Sequence, residues 1–255
     1  MTVRVGVFGA GGRMGATVCQ AVVDDPELEL VAAVDPHHAG AVAPGGWRVD
    51  GDAEAMADAQ VEVAVDFTVA AAARDNLAWC ADHGVHAVVG TTGLNSADVD
   101  RLRADFAGPP NCVLAANFAI GAVLMMRFAE QAAPYFETAE VIELHHDTKR
   151  DAPSGTGLAT AERMAAASSN WAADPTTDEV LPGARGGLGP AGIRVHSVRL
   201  RGLVAHQEVL LGTAGQTLSI RHDSTDRVCF MPGVVLAVKA VAGRPGLTLG
   251  LDALL

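Results

Sequence analysis

The residues best able to do chemistry lie together in Glu143–Gly157, ELHHDTKRDAPSGTG. Two adjacent histidines, His145 and His146, are followed by Lys149, and a Ser154-Gly155-Thr156-Gly157 turn leads straight into an Ala-rich helical pattern. A helix start carries backbone N–H groups without intrahelical partners and the positive end of the helix dipole, so an anion is held there. Histidine and lysine bring proton donors to the same neighbourhood. The stretch therefore reads as an anion-binding site with general acids beside it. Adjacent residues in a regular strand point to opposite faces, so His145 and His146 share a site only if the strand ends there. Asp147 and the loop to Pro153 allow that ending; the alternative is one catalytic histidine and one structural one. Arg150 and Asp151 read as a solvated ion pair or a cap.

The chain must hold these groups against a substrate and, its first half says, against a nucleotide. Val3–Phe8 reads as a buried strand, Gly9-Ala10-Gly11-Gly12-Arg13-Met14-Gly15 as a tight turn, and Met14, Val18 and Val22 as one face of a helix. A second buried strand, Leu28–Val34, ends in Asp35. Strand, glycine-rich turn, helix, strand and acid is the context a dinucleotide fingerprint requires. The spacing is G-x-x-G-x-x-G (Gly9, Gly12, Gly15) rather than G-x-G-x-x-G, with the same physical job of bringing backbone close to a pyrophosphate. Asp35 accepts from ribose hydroxyls and repels a 2′-phosphate. No arginine follows it in Pro36-His37-His38, so the reading favours NADH, while a protonated His37 or His38 leaves room for NADPH.

Strand–helix alternation continues through Val61–Asp66, Ala70–His83 (closed by Gly84), Val85–Val89, a helix near Ala97 capped by Asn95 or Ser96, and Cys112–Ala115. This argues an α/β, Rossmann-like, doubly wound parallel sheet. Its ligand lies along the carboxyl ends of the strands, where Gly9–Gly15, Asp35, Phe67-Thr68, Gly90-Thr91-Thr92 and Ala115-Ala116-Asn117-Phe118 all fall.

The pattern changes near residue 118. Phe118–Phe136 reads as a buried helix, with Met125 and Met126 as core, then a strand Ala139–His146 and a helix Thr156–Ala167. Residues 170–192 form a long polar loop, functional or involved in assembly. Ile193–Leu200, Leu203–Leu211 and Gln216–His222 read as an antiparallel meander, making a second α+β domain with a mostly antiparallel sheet. Its histidines, His196, His206 and His222, read as packing or surface residues. Pro232–Ala242 reads as a helix with Pro in its first turn, and Leu247–Leu251 as a strand rejoining the first sheet. The domains expected are 1–117 joined by 228–255, and 118–227.

At 255 residues, 49% hydrophobic and 19% charged, the chain has ample material for a core. A net charge of -12 argues against nucleic acid or an anionic membrane surface as partner. Cys19, Cys80, Cys112 and Cys229 form no C-x-x-C pair and read as reduced structural thiols, with no metal site. The longest apolar run, Cys112–Met126, is too short for a span and contains Asn117. The expectation is a soluble cytoplasmic protein.

GAGGRMG, GTTG, ANFAIG and above all ELHHDTKRDAPSGTG closely resemble the dihydrodipicolinate reductase family, and the likeness runs through VHSVRLRGLVAHQEV to FMPGVVLAV. The H-H-x-x-K-x-D-A-P-S-G-T run is highly specific. The resemblance implies NAD(P)H-dependent reduction of 4-hydroxy-tetrahydrodipicolinate, the cyclic product of pyruvate and aspartate semialdehyde, to tetrahydrodipicolinate in diaminopimelate and lysine biosynthesis. It implies that Gly9, Ala10, Gly11, Gly12, Arg13 and Met14 hold the pyrophosphate and Asp35 the adenosine ribose. Gly90–Thr92 and Ala115–Phe118 would line the nicotinamide end. His145 would be the proton donor or acceptor and Lys149 the second donor, with His146, Ser154, Gly155 and Thr156 binding the carboxylates of a small dicarboxylate substrate. A homotetramer built through the second domain is implied too. The chain departs from the family at Ala116, where a proline often stands, and in lacking an arginine after Asp35. Another nicotinamide-dependent amino-acid or aspartate dehydrogenase, which would not need the Lys149 and Ser154–Thr156 pocket, or a non-catalytic NAD(H)-binding sensor, which would show no turnover, is the alternative.

Overall fold

A computed structural model describes residues 2–255, which divide into two compact units. One runs to Ile120 and resumes over Arg227–Leu255; the other is Gly121–Asp226.

The first unit opens with β1 (Val3–Phe8), α1 (Arg13–Asp24), β2 (Leu28–Val34), a short α2 (Glu54–Asp58) and β3 (Val63–Asp66). It continues with α3 (Ala70–Asp82), β4 (His86–Val89), α4 (Ser96–Asp105) and β5 (Cys112–Leu114). All four residues of β3 are buried, and β2 is buried but for Glu29, as a sheet covered on both faces demands. Periodicity fixes β1 and β2 to the residue, whereas β3 and β4 start slightly later than their apolar runs do. Asn95 starts α4: its Oδ1 accepts from Asp98 N at 3.1 Å while Asp98 Oδ2 accepts from Asn95 N at 2.8 Å, a reciprocal capping box. Phe8, Met56, Leu77, Cys80 and Phe106 fill one side of the sheet.

In the second unit α5 (Ile120–Ala132) begins at the boundary and passes into a 3-10 turn, Ala133–Tyr135, where Pro134 interrupts the ladder. Met125 and Met126 are buried, as core residues. Then come β6 (Thr138–His145), α6 (Gly155–Ala167), a two-residue β7 (Gly187–Leu188), β8 (Arg194–Arg199), β9 (Ala205–Thr213) and β10 (Gln216–Ser224). Ala139 and Val141 of β6, Val195 of β8, and Val209 and Leu211 of β9 pack against Ala129 of α5 and Ala161 and Met164 of α6.

The sheet here is mixed, in the order β10-β9-β6-β8-β7. The expected three-strand meander is corrected: β9 and β10 form an antiparallel hairpin, but β6 lies between β8 and β9, parallel to β8 and antiparallel to β9. Short links between sequential apolar runs suggest direct pairing. The strand that actually takes the centre lies much earlier in the chain, because its alternate residues complete the core under α6. The loop before β7 is tied down by Asp174, whose Oδ2 accepts from Arg194 Nε at 2.9 Å and Arg185 Nε at 3.3 Å. His196 bonds Glu140, His206 bonds Asp223, and the His222 ring packs beside Gly121.

The chain returns to the first unit as α7 (Met231–Ala240) and β11 (Leu247–Leu249). β11 rejoins the first sheet parallel to β5, giving the all-parallel order β11-β5-β4-β3-β1-β2. Among the described residues no helix is long and apolar enough to cross a membrane.

Candidate functional site

In the first sheet the winding reverses between β1 and β3, so the carboxyl ends of these strands flank a switch point, the usual place for a ligand in such a fold. Gly9 follows β1 with φ +72°, a conformation that favours glycine, and its N–H donates to Val34 O at 2.7 Å. Gly15 admits no side chain, since a Cβ there would sit 2.0 Å from Gly9 O. The turn and the first turn of α1 are therefore pressed together, and α1 starts at Gly12 without a side-chain cap. A cavity of about 380 Å³ opens here, lined by Gly9, Gly12, Asp35, Phe67 and Thr68 among others. Asp35, nearly buried, accepts from His37 N at 3.0 Å, Gly11 N at 3.2 Å and His38 Nδ1 at 2.8 Å. The His38 ring lies against Gly11, where a Cβ would come within 2.3 Å of it.

The other expected cofactor contacts gather at the ends of β3, β4 and β5. Asp66, at the end of β3 and 1% exposed, organises them. Its Oδ1 accepts from Thr68 N at 3.0 Å, Thr68 Oγ1 at 2.8 Å and Thr91 Oγ1 at 2.6 Å; Oδ2 accepts from Asn76 Nδ2 at 2.7 Å. Phe67 lies across Gly90, where a Cβ would meet its ring at 2.1 Å, and tilts on Phe118 with centroids 5.6 Å apart. Asn117 Oδ1 accepts from Ala119 N at 2.9 Å, while Ala116 and Thr92 are exposed. The expected cofactor residues thus lie in the turns at the carboxyl ends of one sheet's strands, apart from Arg13 and Met14, which open α1.

In the second unit β6 ends at His145, so strand alternation stops before His146. The two histidines take different partners: His145 Nδ1 lies 2.5 Å from Glu143 Oε2, and His146 Nδ1 lies 2.7 Å from Thr148 Oγ1. Lys149 Nζ donates to both oxygens of Asp151, at 2.9 and 2.8 Å, and Asp151 is held below its ordinary pKa chiefly by that bond. The pair expected as Arg150–Asp151 is therefore Lys149–Asp151. Ser154, buried, starts α6; its Oγ accepts from Gly157 N at 3.1 Å, leaving the amides of Gly155 and Thr156 in the first turn of the helix.

Beneath them lies a group to which the sequence assigns no role. Glu143 is fully buried on the face of β6 that also carries Ala139, Val141 and His145. Its Oε1 accepts from Ser154 N at 3.1 Å and Arg199 Nη2 at 2.8 Å, and its Oε2 from Arg199 Nη1 at 2.9 Å. Burial pushes Glu143 up, and bonds from Arg199, Ser197 and His145 overturn this, leaving it below its ordinary value. Burial lowers His145, the contact with Glu143 pulls it back, and the charges of Lys149 and Arg199 push it down again; the outcome is lowered. An acid on the apolar register of a strand was the available signal for Glu143. Arg199 stands opposite His145 on the parallel neighbour, a register the expected meander hid.

Dihydrodipicolinate reductase N-terminal and C-terminal family models match residues 3–118 and 121–255. A relative from Cutibacterium acnes named 4-hydroxy-tetrahydrodipicolinate reductase is 51% identical over 99% of this chain and 98% of its own. One of the same name from Nocardia farcinica is 52% identical over the same shares. The solved dipicolinate-bound dihydrodipicolinate reductase of Paenisporosarcina sp. TG-14 superposes with TM-score 0.87 at 37% identity, covering 100% of both chains. The chain belongs to the dihydrodipicolinate reductase family, and so to the NAD(P)H-dependent oxidoreductases.

Proposed function

We propose that this chain reduces 4-hydroxy-tetrahydrodipicolinate to tetrahydrodipicolinate in diaminopimelate and lysine biosynthesis, using NADH in preference to NADPH. The observation that carries the reading is the convergence of His145 and the N-terminus of α6 on one buried carboxylate, Glu143, with the loop that carries Lys149 tied to the same cluster through Arg199 and Asp151 O. A relative binds dipicolinate, a planar dicarboxylate of the same chemical class.

The overall change removes water and adds one hydride and one proton. Bound NADH or NADPH supplies the hydride. The close-packed Gly9–Gly15 turn fits a pyrophosphate, which the first amides of α1 would hold; Asp35 would take the ribose hydroxyls, and Phe67, Thr91 and Phe118 would bound the nicotinamide end. Ser154, Gly155 and Thr156 bind one carboxylate through the helix start and His146 assists at the other. Lys149 and His145 move the proton that quenches the electron density left by hydride addition.

The second unit also serves as the assembly surface. Ile142, Leu144, Val198 and Leu210 share the face of its sheet away from α6 and are only half-buried, which suits a homotetramer; light scattering on the purified chain tests it. The reading places the enzyme in the cytoplasm, in keeping with thiols at Cys19, Cys80 and Cys112.

The decisive assay follows oxidation of NADH and NADPH with substrate formed in place from pyruvate and aspartate semialdehyde. Turnover requiring both precursors and blocked by pyridine-2,6-dicarboxylate is expected. Cofactor binding without turnover would overturn the assignment.

A further inference from the structure

We propose that Glu143 is a positioning residue for proton transfer, fixing His145 in the tautomer with hydrogen on Nδ1 and so leaving Nε2 as the atom that gives or takes the proton. The inference rests on reading His145 as a proton-transferring group.

An ionised carboxylate only accepts hydrogen bonds. Glu143 has both oxygens occupied by four groups: the Arg199 fork spans them, Ser154 N adds to Oε1, His145 Nδ1 meets Oε2, and the Ser197 side chain contributes a further bond. In a fully buried site the bidentate guanidinium compensates the charge and keeps the carboxylate ionised. His145 Nδ1 must then be the donor, which dictates the tautomer. The charged groups facing His145 are Glu143 on its own strand, Arg199 on β8 and Lys149 on the following loop; its neighbour on β9 is the neutral Ala205.

The same carboxylate positions more than His145. Arg199 Nη2 also donates to Asp151 O at 2.7 Å, joining the loop that carries Lys149 to the Glu143 cluster. Ser154 N, the amide at the start of α6, is held by Glu143 directly. One buried acid therefore registers the histidine, the lysine loop and the helix start with one another.

A glutamine at this position has one acceptor and one donor group. With its carbonyl kept on Ser154 N and Arg199 Nη2, its NH₂ opposes a single donor, Arg199 Nη1, and faces His145, which must accept at Nδ1 and carry its proton on Nε2. The reverse orientation sets NH₂ against the donors of Ser154 and Arg199.

The test is ¹⁵N NMR of the histidine rings in the full chain, with His145 assigned by its disappearance in His145→Gln. Wild type is expected to show neutral His145 protonated on Nδ1. Glu143→Gln is expected to show it on Nε2, with kcat reduced about 10²-fold or more and cofactor affinity unchanged. A wild-type His145 protonated on Nε2, or a Glu143→Gln enzyme keeping both tautomer and kcat, overturns the proposal. The wild-type spectrum decides even if the variant does not fold. Full activity in His145→Ala, with Nδ1–H present in wild type, instead overturns the underlying reading of His145.

Discussion

Asp35 and His38 are bonded to each other beside the glycine-rich turn, with His38 Nδ1 2.8 Å from Asp35 Oδ2 and the imidazole resting on Gly11. Gly11 N shares Oδ2 and His37 N takes Oδ1, so three of the carboxylate's roughly four acceptor positions are engaged by the protein itself. A ribose has to share these oxygens or displace the ring. Asp35→Ala is expected to weaken NADH about 10-fold and NADPH less, because it removes both an acceptor and a repulsive charge. His38→Ala is expected to favour NADH further by releasing Oδ2. Fluorescence titration with each cofactor reads both; equal losses for the two in Asp35→Ala would show that the acid does not discriminate.

Lys149 is held by Asp151 rather than by a second buried group, so its removal strips one donor without opening the core. Lys149→Ala and His145→Ala should each lower kcat by about 10²–10⁴-fold, the usual share of a general acid or base. NADH affinity should stay within about 2-fold, because neither residue belongs to the unit carrying the glycine-rich turn. Steady-state rates beside direct NADH titration check this, and near-full turnover in either variant would remove that residue from the chemistry.

Ser154 has two duties that a single substitution separates. Its Oγ caps α6 through Gly157 N, so Ser154→Ala should cost about 1 kcal/mol in urea unfolding. If the helix start binds a carboxylate, inhibition by pyridine-2,6-dicarboxylate should weaken as well. Loss of stability with unchanged inhibition would confine Ser154 to capping.

Three thiols make an alkaline prediction. Burial pushes Cys19 up to about 12 and drives Cys80 and Cys112 higher still. Their folded values are raised, so the native state keeps the protons and the unfolded chain loses them first. The stability is fully present below the unfolded thiol value, near pH 9, and is lost as pH rises from there towards the folded values. The slope is about 1.4 kcal/mol per thiol for each pH unit. Urea midpoints at pH 8, 9 and 10 should fall accordingly, and Cys112→Ala should flatten the decline by one thiol.

Much of the first unit was legible because a buried parallel sheet writes itself as apolar runs closed by glycine or acid. β1, β2, the Asn95 cap and the returning β11 follow from that grammar. What escaped was pairing between distant segments. β6 and β8 lie side by side with an entire helix and loop between them, and nothing local in Ile193–Leu200 reports which earlier strand it meets. The site shows the same division. His145, Lys149 and Ser154 announce themselves by type and spacing, whereas Glu143 and Arg199 matter through one contact across that unforeseen register. Asp66 likewise read as the last residue of a strand, although its carboxylate orients Thr68, Asn76 and Thr91 at once.

The return of the chain to its first sheet also carries a cost during synthesis. β5 receives its outer neighbour β11 only after roughly 135 further residues, about 7–27 s at ordinary ribosomal rates. Until then Asn111, buried in the finished protein, lacks the carbonyls of Val241 and Ala242 and the amide of Gly246 that complete its hydrogen bonds. The nascent sheet therefore presents a bare edge strand throughout translation of the second unit, an invitation to intermolecular pairing. Chaperone dependence and aggregation during expression should concentrate in that interval, and a ribosome-stalled chain ending before Leu247 should expose it.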